Sequence, residues 1–149
     1  MGAWSHESFG NDTACDWSGP LADAVDLTYV DETLQRVLDA GDDDLDMDLS
    51  CEAIAAAEVV ARLQGHFGLR DAYSQAVDDW VAKTRQVPGA DLANKARAVL
   101  HRIVSAPSEL LELWEESEDA EAWLSAVSAL RDRISVPLGG AGQRNGTLR

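Results

Sequence analysis

Glu58 and Arg62 are the residues of this chain best spaced to do chemistry with each other. They stand one helical turn apart in an otherwise apolar run, Ile54-Ala55-Ala56-Ala57-Glu58-Val59-Val60-Ala61-Arg62-Leu63. A carboxylate buried on such a helix needs a cation, and i,i+4 spacing supplies one. The expectation is a buried structural ion pair. A catalytic carboxylate of the retaining glycosidase kind would need a second carboxyl group about 5 Å away, and sequence spacing identifies none.

The other titratable groups are scattered. His6, His66 and His101 lie far apart, with no His-x-x-x-His or Cys-x-x-Cys spacing, so neither a metal set nor a cofactor is expected. Cys15 and Cys51 sit among small and apolar residues and read as reduced core thiols rather than a disulfide framework. The acidic run Asp42-Asp43-Asp44-Leu45-Asp46-Met47-Asp48 invites a calcium reading, since Asp42, Asp44, Asp46, Asp48 and Ser50 take alternate loop positions. An EF-hand loop needs Gly at its sixth position and Glu at its twelfth. Here those are Met47 and Ala53, and Glu52 falls one residue early. A solvated acidic patch leading into a helix is expected instead. The N-terminal segment combines Trp4, Phe9 and Trp17 with Asn11, Asp12 and Asp16. Aromatics beside polar groups can line a binding surface. The competing structural reading makes Asn11 a helix N-cap, Phe9 a hydrophobic staple and the two tryptophans pins for the terminus.

The elements that position these residues are helical. Apolar residues recur at spacings of three and four almost throughout, and no run alternates with period two. The first helix is expected from Asp12, with Gly19-Pro20 breaking or kinking it. A second follows over Thr28–Ala40, with Leu27, Val30, Leu34, Val37 and Leu38 as its stripe and Glu32–Arg36 as an outer pair. A third over Ser50–Gln64 is apolar on nearly every side and belongs at the centre of a bundle. Others are expected over Asp71–Arg85, Asp91–Ser105, a short stretch from Pro107 to Glu116, and a last helix capped by Ser117 that buries Trp123, Leu124, Val127, Leu130 and Ile134. The fold class is all-α, a compact bundle of about six helices with little or no sheet. Residues 1–136 form one helical domain, and 137–149 are expected to be a disordered tail.

Net charge is −15 over 149 residues. Residues 1–58 hold fifteen acids against one base, Arg36, whereas residues 59–105 hold seven bases against four acids. Such a chain repels nucleic-acid phosphates. No signal peptide opens it, and no apolar run is long enough to span a membrane, so a cytoplasmic location is expected.

Residues 1–17 read Met-Gly-Ala-Trp-Ser-His-Glu-Ser-Phe-Gly-Asn-Asp-Thr-Ala-Cys-Asp-Trp. This resembles the opening of a bacterial family, the domain-of-unknown-function family 4259, whose members begin Gly-x-Trp-Gly-x-x-x-Phe-x-Asn-Asp-x-Ala-x-Asp-Trp. The match falls on Gly2, Trp4, Phe9, Asn11, Asp12, Ala14, Asp16 and Trp17, and departs at Ser5-His6. Residues 55–61 and 113–117 are also similar to the family, so the resemblance spans roughly residues 1–134. It implies a helical fold and a bacterial origin, and carries no activity.

Physics alone ranks the functions. The leading expectation is a non-enzymatic acidic interaction module, immunity-like or regulatory, that binds a basic protein through Asp42, Asp43, Asp44, Asp46, Asp48 and Glu52. The alternatives are a small-ligand or cation-binding protein, and a small hydrolase-type enzyme built around Glu58.

Overall fold

The computed structural model describes Ser8 and residues 11–68, 70, 74–84 and 86–136. Among them are seven helices: α1 (Asp12–Leu21), α2 (Thr28–Asp39), α3 (Met47–Leu63), α4 (Gln75–Thr84), α5 (Ala90–Ile103), α6 (Glu109–Glu115) and α7 (Ala120–Arg133). No strand occurs among the described residues, and an isolated parallel bridge joins Leu45 to Ser108. The protein is an all-α bundle. Trp4, Phe9 and the expected tail, 137–149, lie outside the described residues.

α3 is the axis. It packs against all six other helices, and every residue from Ala53 to Arg62 is buried. A stretch with no solvent face must be small or apolar wherever its charges are not paired, and the alanines at 53, 55, 56, 57 and 61 let its neighbours approach closely. It begins three residues earlier than the sequence pattern suggests. Asp46 is its N-cap, accepting from the Leu49 N–H at 2.9 Å, and Glu109 accepts from the Met47 N–H at 2.8 Å. Two carboxylates at one N-terminus satisfy donors that the helix itself leaves open and favour the positive end of its dipole. The acidic loop is therefore shorter than expected, and Asp48 and Ser50 belong to α3.

Other boundaries shift for identifiable reasons. Gly19-Pro20 does not break α1, which runs on to Leu21 with Pro20 in its last turn. Gly19 has no Cβ to clash with the proline ring, so the α conformation before Pro20 is tolerated. On α2, Thr33 joins Val30, Leu34 and Val37 in the buried stripe, and Leu38 is exposed. Arg36 pairs with Glu52 of α3 at 3.7 Å rather than with Glu32. On α4, Ala76 points to solvent while Asp78 is buried beside Val77 and Trp80. On α7, Leu124 is exposed. Asp119 rather than Ser117 occupies the N-cap position of α7, and the Ser117 hydroxyl donates instead to the Trp114 carbonyl. The indoles of Trp114 and Trp123 stack with centroids 5.9 Å apart and join α6 to α7.

Candidate functional site

The end of α3 builds the densest polar site. Gly65, at φ 86°, closes the helix. Its N–H reaches the Arg62 carbonyl and the His66 N–H reaches the Ala61 carbonyl, both at 2.9 Å. This Schellman ending needs a left-handed residue, which glycine supplies without strain. The reversed chain then folds back over Glu58.

Glu58 is 1% exposed and accepts five hydrogen bonds. Oε2 takes Arg62 Nε at 2.8 Å, one Arg133 nitrogen at 2.8 Å and the Gly68 N–H at 3.3 Å. Oε1 takes the second Arg133 nitrogen at 2.8 Å and the Ser8 hydroxyl at 2.9 Å. Arg62, 2% exposed, turns its other side to Asp78 at 2.5 Å. Asp78 is held in turn by the Ser74 hydroxyl at 2.9 Å and by Arg70 at 3.6 Å. The Arg62 and Arg70 guanidiniums both lie over the Phe67 ring, at 5.6 and 4.7 Å from its centroid. One guanidinium thus bridges two buried carboxylates, and a second closes on Glu58 from α7.

Burial pushes the Glu58 carboxyl up. The hydrogen bonds from Arg133 and then Arg62, with the charges of both, outweigh it and hold the carboxyl at about 2. An ionised carboxylate whose lone pairs are filled by five donors is built to stay charged and fixed. It is poorly arranged to carry a proton or attack a substrate.

Around this cluster the α7 terminus is fastened by side chains from other elements. Gln64 exchanges two hydrogen bonds with the Ser135 backbone at 2.6 and 2.9 Å. His66 Nδ1 lies 2.6 Å from the Arg133 carbonyl, and since a carbonyl only accepts, this nitrogen carries the proton. Arg97 of α5 donates to the carbonyls of Arg131 and Ile134 at 2.7 and 3.0 Å.

Of the N-terminal constellation, Trp4 and Phe9 lie outside the described residues, and the four described members divide between core and solvent. Asn11 is buried and caps α1, accepting from the Ala14 N–H at 2.8 Å. Trp17 is buried between α1 and α2; its Nε1–H donates to Thr33 at 2.9 Å, and its ring stacks on Tyr29 at 4.9 Å. Asp12 and Asp16 are exposed.

The acidic residues form a different kind of site. Asp42, Asp43, Asp44, Asp46 and Asp48 are all exposed, and Glu52 is half-buried. The Thr13 hydroxyl donates to Asp48 at 3.3 Å, which brings the start of α1 beside the start of α3. Burial raises the Glu52 carboxyl, helped by Asp48 and Asp46 against Arg36. Burial also raises the Cys51 thiol to about 12, with Asp48, Asp46 and Glu52 adding to it. Arg102 reaches the loop but donates to the carbonyls of Gly41 and Asp43, at 3.0 and 2.7 Å, not to its carboxylates. No group of three or more histidine, cysteine or acidic side chains among the described residues is arranged to hold a metal ion.

A family model described as Domain of unknown function (DUF4259) matches residues 2–126. The chain belongs to the DUF4259 family. The matched span contains Glu58, Arg62 and Asp78 together with the acidic loop, and stops within α7 before Arg133. No curated protein and no solved structure matches this DUF4259 chain. No helix among its described residues is long and apolar enough to cross a membrane.

Two members of the cluster escape a reading of the sequence, and a third, Arg70, lies at its exposed edge. Asp78 looks like one of a surface pair with Asp79, although its place beside Val77 and one turn before Val81 marks the inner face. Arg133 looks like a last-turn cation, although it directly precedes the core residue Ile134. Arg70 stands in a turn, where periodicity carries no signal.

Proposed function

We propose that this protein is a non-enzymatic acidic interaction module that receives a basic protein on the face formed by Asp42, Asp43, Asp44, Asp46 and Asp48. The observation that carries the reading is where the nearby cations go. Arg62, Arg70 and Arg133 serve Glu58 and Asp78, Arg36 pairs with half-buried Glu52 at 3.7 Å, Lys95 pairs with Asp31 at 2.7 Å, and Arg97 and Arg102 donate to carbonyl oxygens. The loop carboxylates face solvent, and no salt bridge among the described residues reaches them. A field of that kind speeds the encounter with a cationic surface and rejects acidic ones.

The test is affinity capture from the cells that make the protein, with the native chain and with an Asp42→Asn/Asp43→Asn/Asp44→Asn variant. These side chains are exposed and Arg102 holds the loop by its backbone, so the variant keeps the fold. A basic protein should be retained by the native chain at low salt, lost above roughly 0.5 M salt as screening shortens the field, and missed by the variant. Capture indifferent to both salt and substitution, or no capture, overturns the reading.

A further inference from the structure

Charge brings a partner in, but affinity is concentrated where apolar side chains enter a hollow. Between the end of α1 and α4 lie two adjoining hollows of about 240 and 320 Å³ that share Ala22, Trp80 and Lys83. Trp80 is almost wholly buried, and its Nε1–H is held by the Ala24 carbonyl at 3.0 Å, so the ring edge lining the groove is fixed. Ala76 lines it from α4 and Val25 from the loop after α1. Val25 is 85% exposed, the highest value among the large hydrophobic residues described as exposed. A lone exposed valine is ordinary. One beside a hollow lined by an immobilised indole is arranged to receive an apolar side chain. Asp23 and Asp79 also line the groove and both are exposed; among the described residues that line it, two carboxylates stand against the one ammonium of Lys83, the sign of the acidic module.

We infer that this α1–α4 groove seats an apolar side chain of the basic partner, next to a lysine or arginine that meets Asp23 or Asp79. The inference rests on the acidic-module reading and adds the place where apolar contact supplies affinity. It is an anchoring site of the helix- or strand-in-groove kind, distinct from the loop that attracts the partner.

Two peptides of equal charge test it, one an amphipathic leucine–lysine sequence and one of lysines separated by glycine. Each is titrated into the full ¹⁵N-labelled chain and followed by amide and indole NMR. The leucine–lysine peptide should shift the Trp80 indole and Ala76 amide signals saturably. It should bind about tenfold tighter than the glycine–lysine peptide, the gain from burying one apolar side chain. Ala76→Trp, at an exposed position whose larger side chain fills the groove, should abolish that difference. If the Asp42–Asp48 amides shift while Trp80 and Ala76 stay still, or if Ala76→Trp leaves the difference intact, the groove is excluded and the acidic-module reading stands. If neither peptide binds, both fail.

Discussion

Glu58 behaves as a fixed negative charge around which three parts of the chain are tied: the N-terminal segment through Ser8, the α3–α4 reversal through Gly68, and α7 through Arg133. Removing one partner of a buried pair costs far more than the pair contributes, because the other charge is left without compensation. Glu58→Gln should therefore lower stability at pH 7 by about 3 kcal/mol in urea titration, the order set by a carboxyl lowered from 4.5 to about 2. The folded-state value is depressed, so this stabilisation is complete above the unfolded value near 4.5 and is lost as pH falls towards 2. The native and Glu58→Gln urea midpoints should converge over that window; a gap that persists at pH 2 would contradict the assignment. Gly68 supplies a steric check. A Cβ there would lie 2.9 Å from an Arg133 nitrogen whose guanidinium is pinned by Glu58 and the His66 carbonyl. Gly68→Ala should cost about 1–2 kcal/mol. It should cost much less in an Arg133→Ala background, and strict additivity in that double-mutant cycle would rule out the clash.

At the scale of elements, what sequence reveals depends on whether a signal is local. The central place of α3 is legible because a helix apolar all round has only one home in a bundle. The Glu58–Arg62 spacing is equally local. Arg133 is 75 residues from Glu58, and no periodicity announces that α7 ends above α3. The early start of α3 was hidden because Asp46 and Asp48 look like loop residues; they serve instead as cap and first-turn acid. Asp46→Ala should lower stability by about 1 kcal/mol, the worth of an N-cap. Amide exchange should quicken over 47–50, with the far end of α3 unchanged. Unchanged exchange over 47–50 would mean that Glu109 does most of the capping.

For the whole molecule, the family match and the folded unit do not coincide. Val127, Leu130 and Ile134 are buried, and Arg133 completes the Glu58 shell, all beyond residue 126. A chain ending at Ala126 should lack a cooperative thermal transition by circular dichroism; a native-like transition would show that the matched span folds alone. Net charge of −15 also sets a sign for salt. Self-repulsion among exposed carboxylates opposes compaction, so added sodium chloride should raise the melting temperature. A fall would mean that exposed ion pairs outweigh the repulsion. Arg102 gives this charge a further property. By gripping the carbonyls of Gly41, Asp43 and Ser105, it ties down the backbone of the acidic loop without discharging it. A loop already ordered has little conformational entropy left to lose, at about 1–2 kcal/mol for each backbone residue otherwise immobilised. The guanidinium thus makes the loop preorganised: the basic partner proposed above would meet a rigid template rather than a strand that must first be stilled.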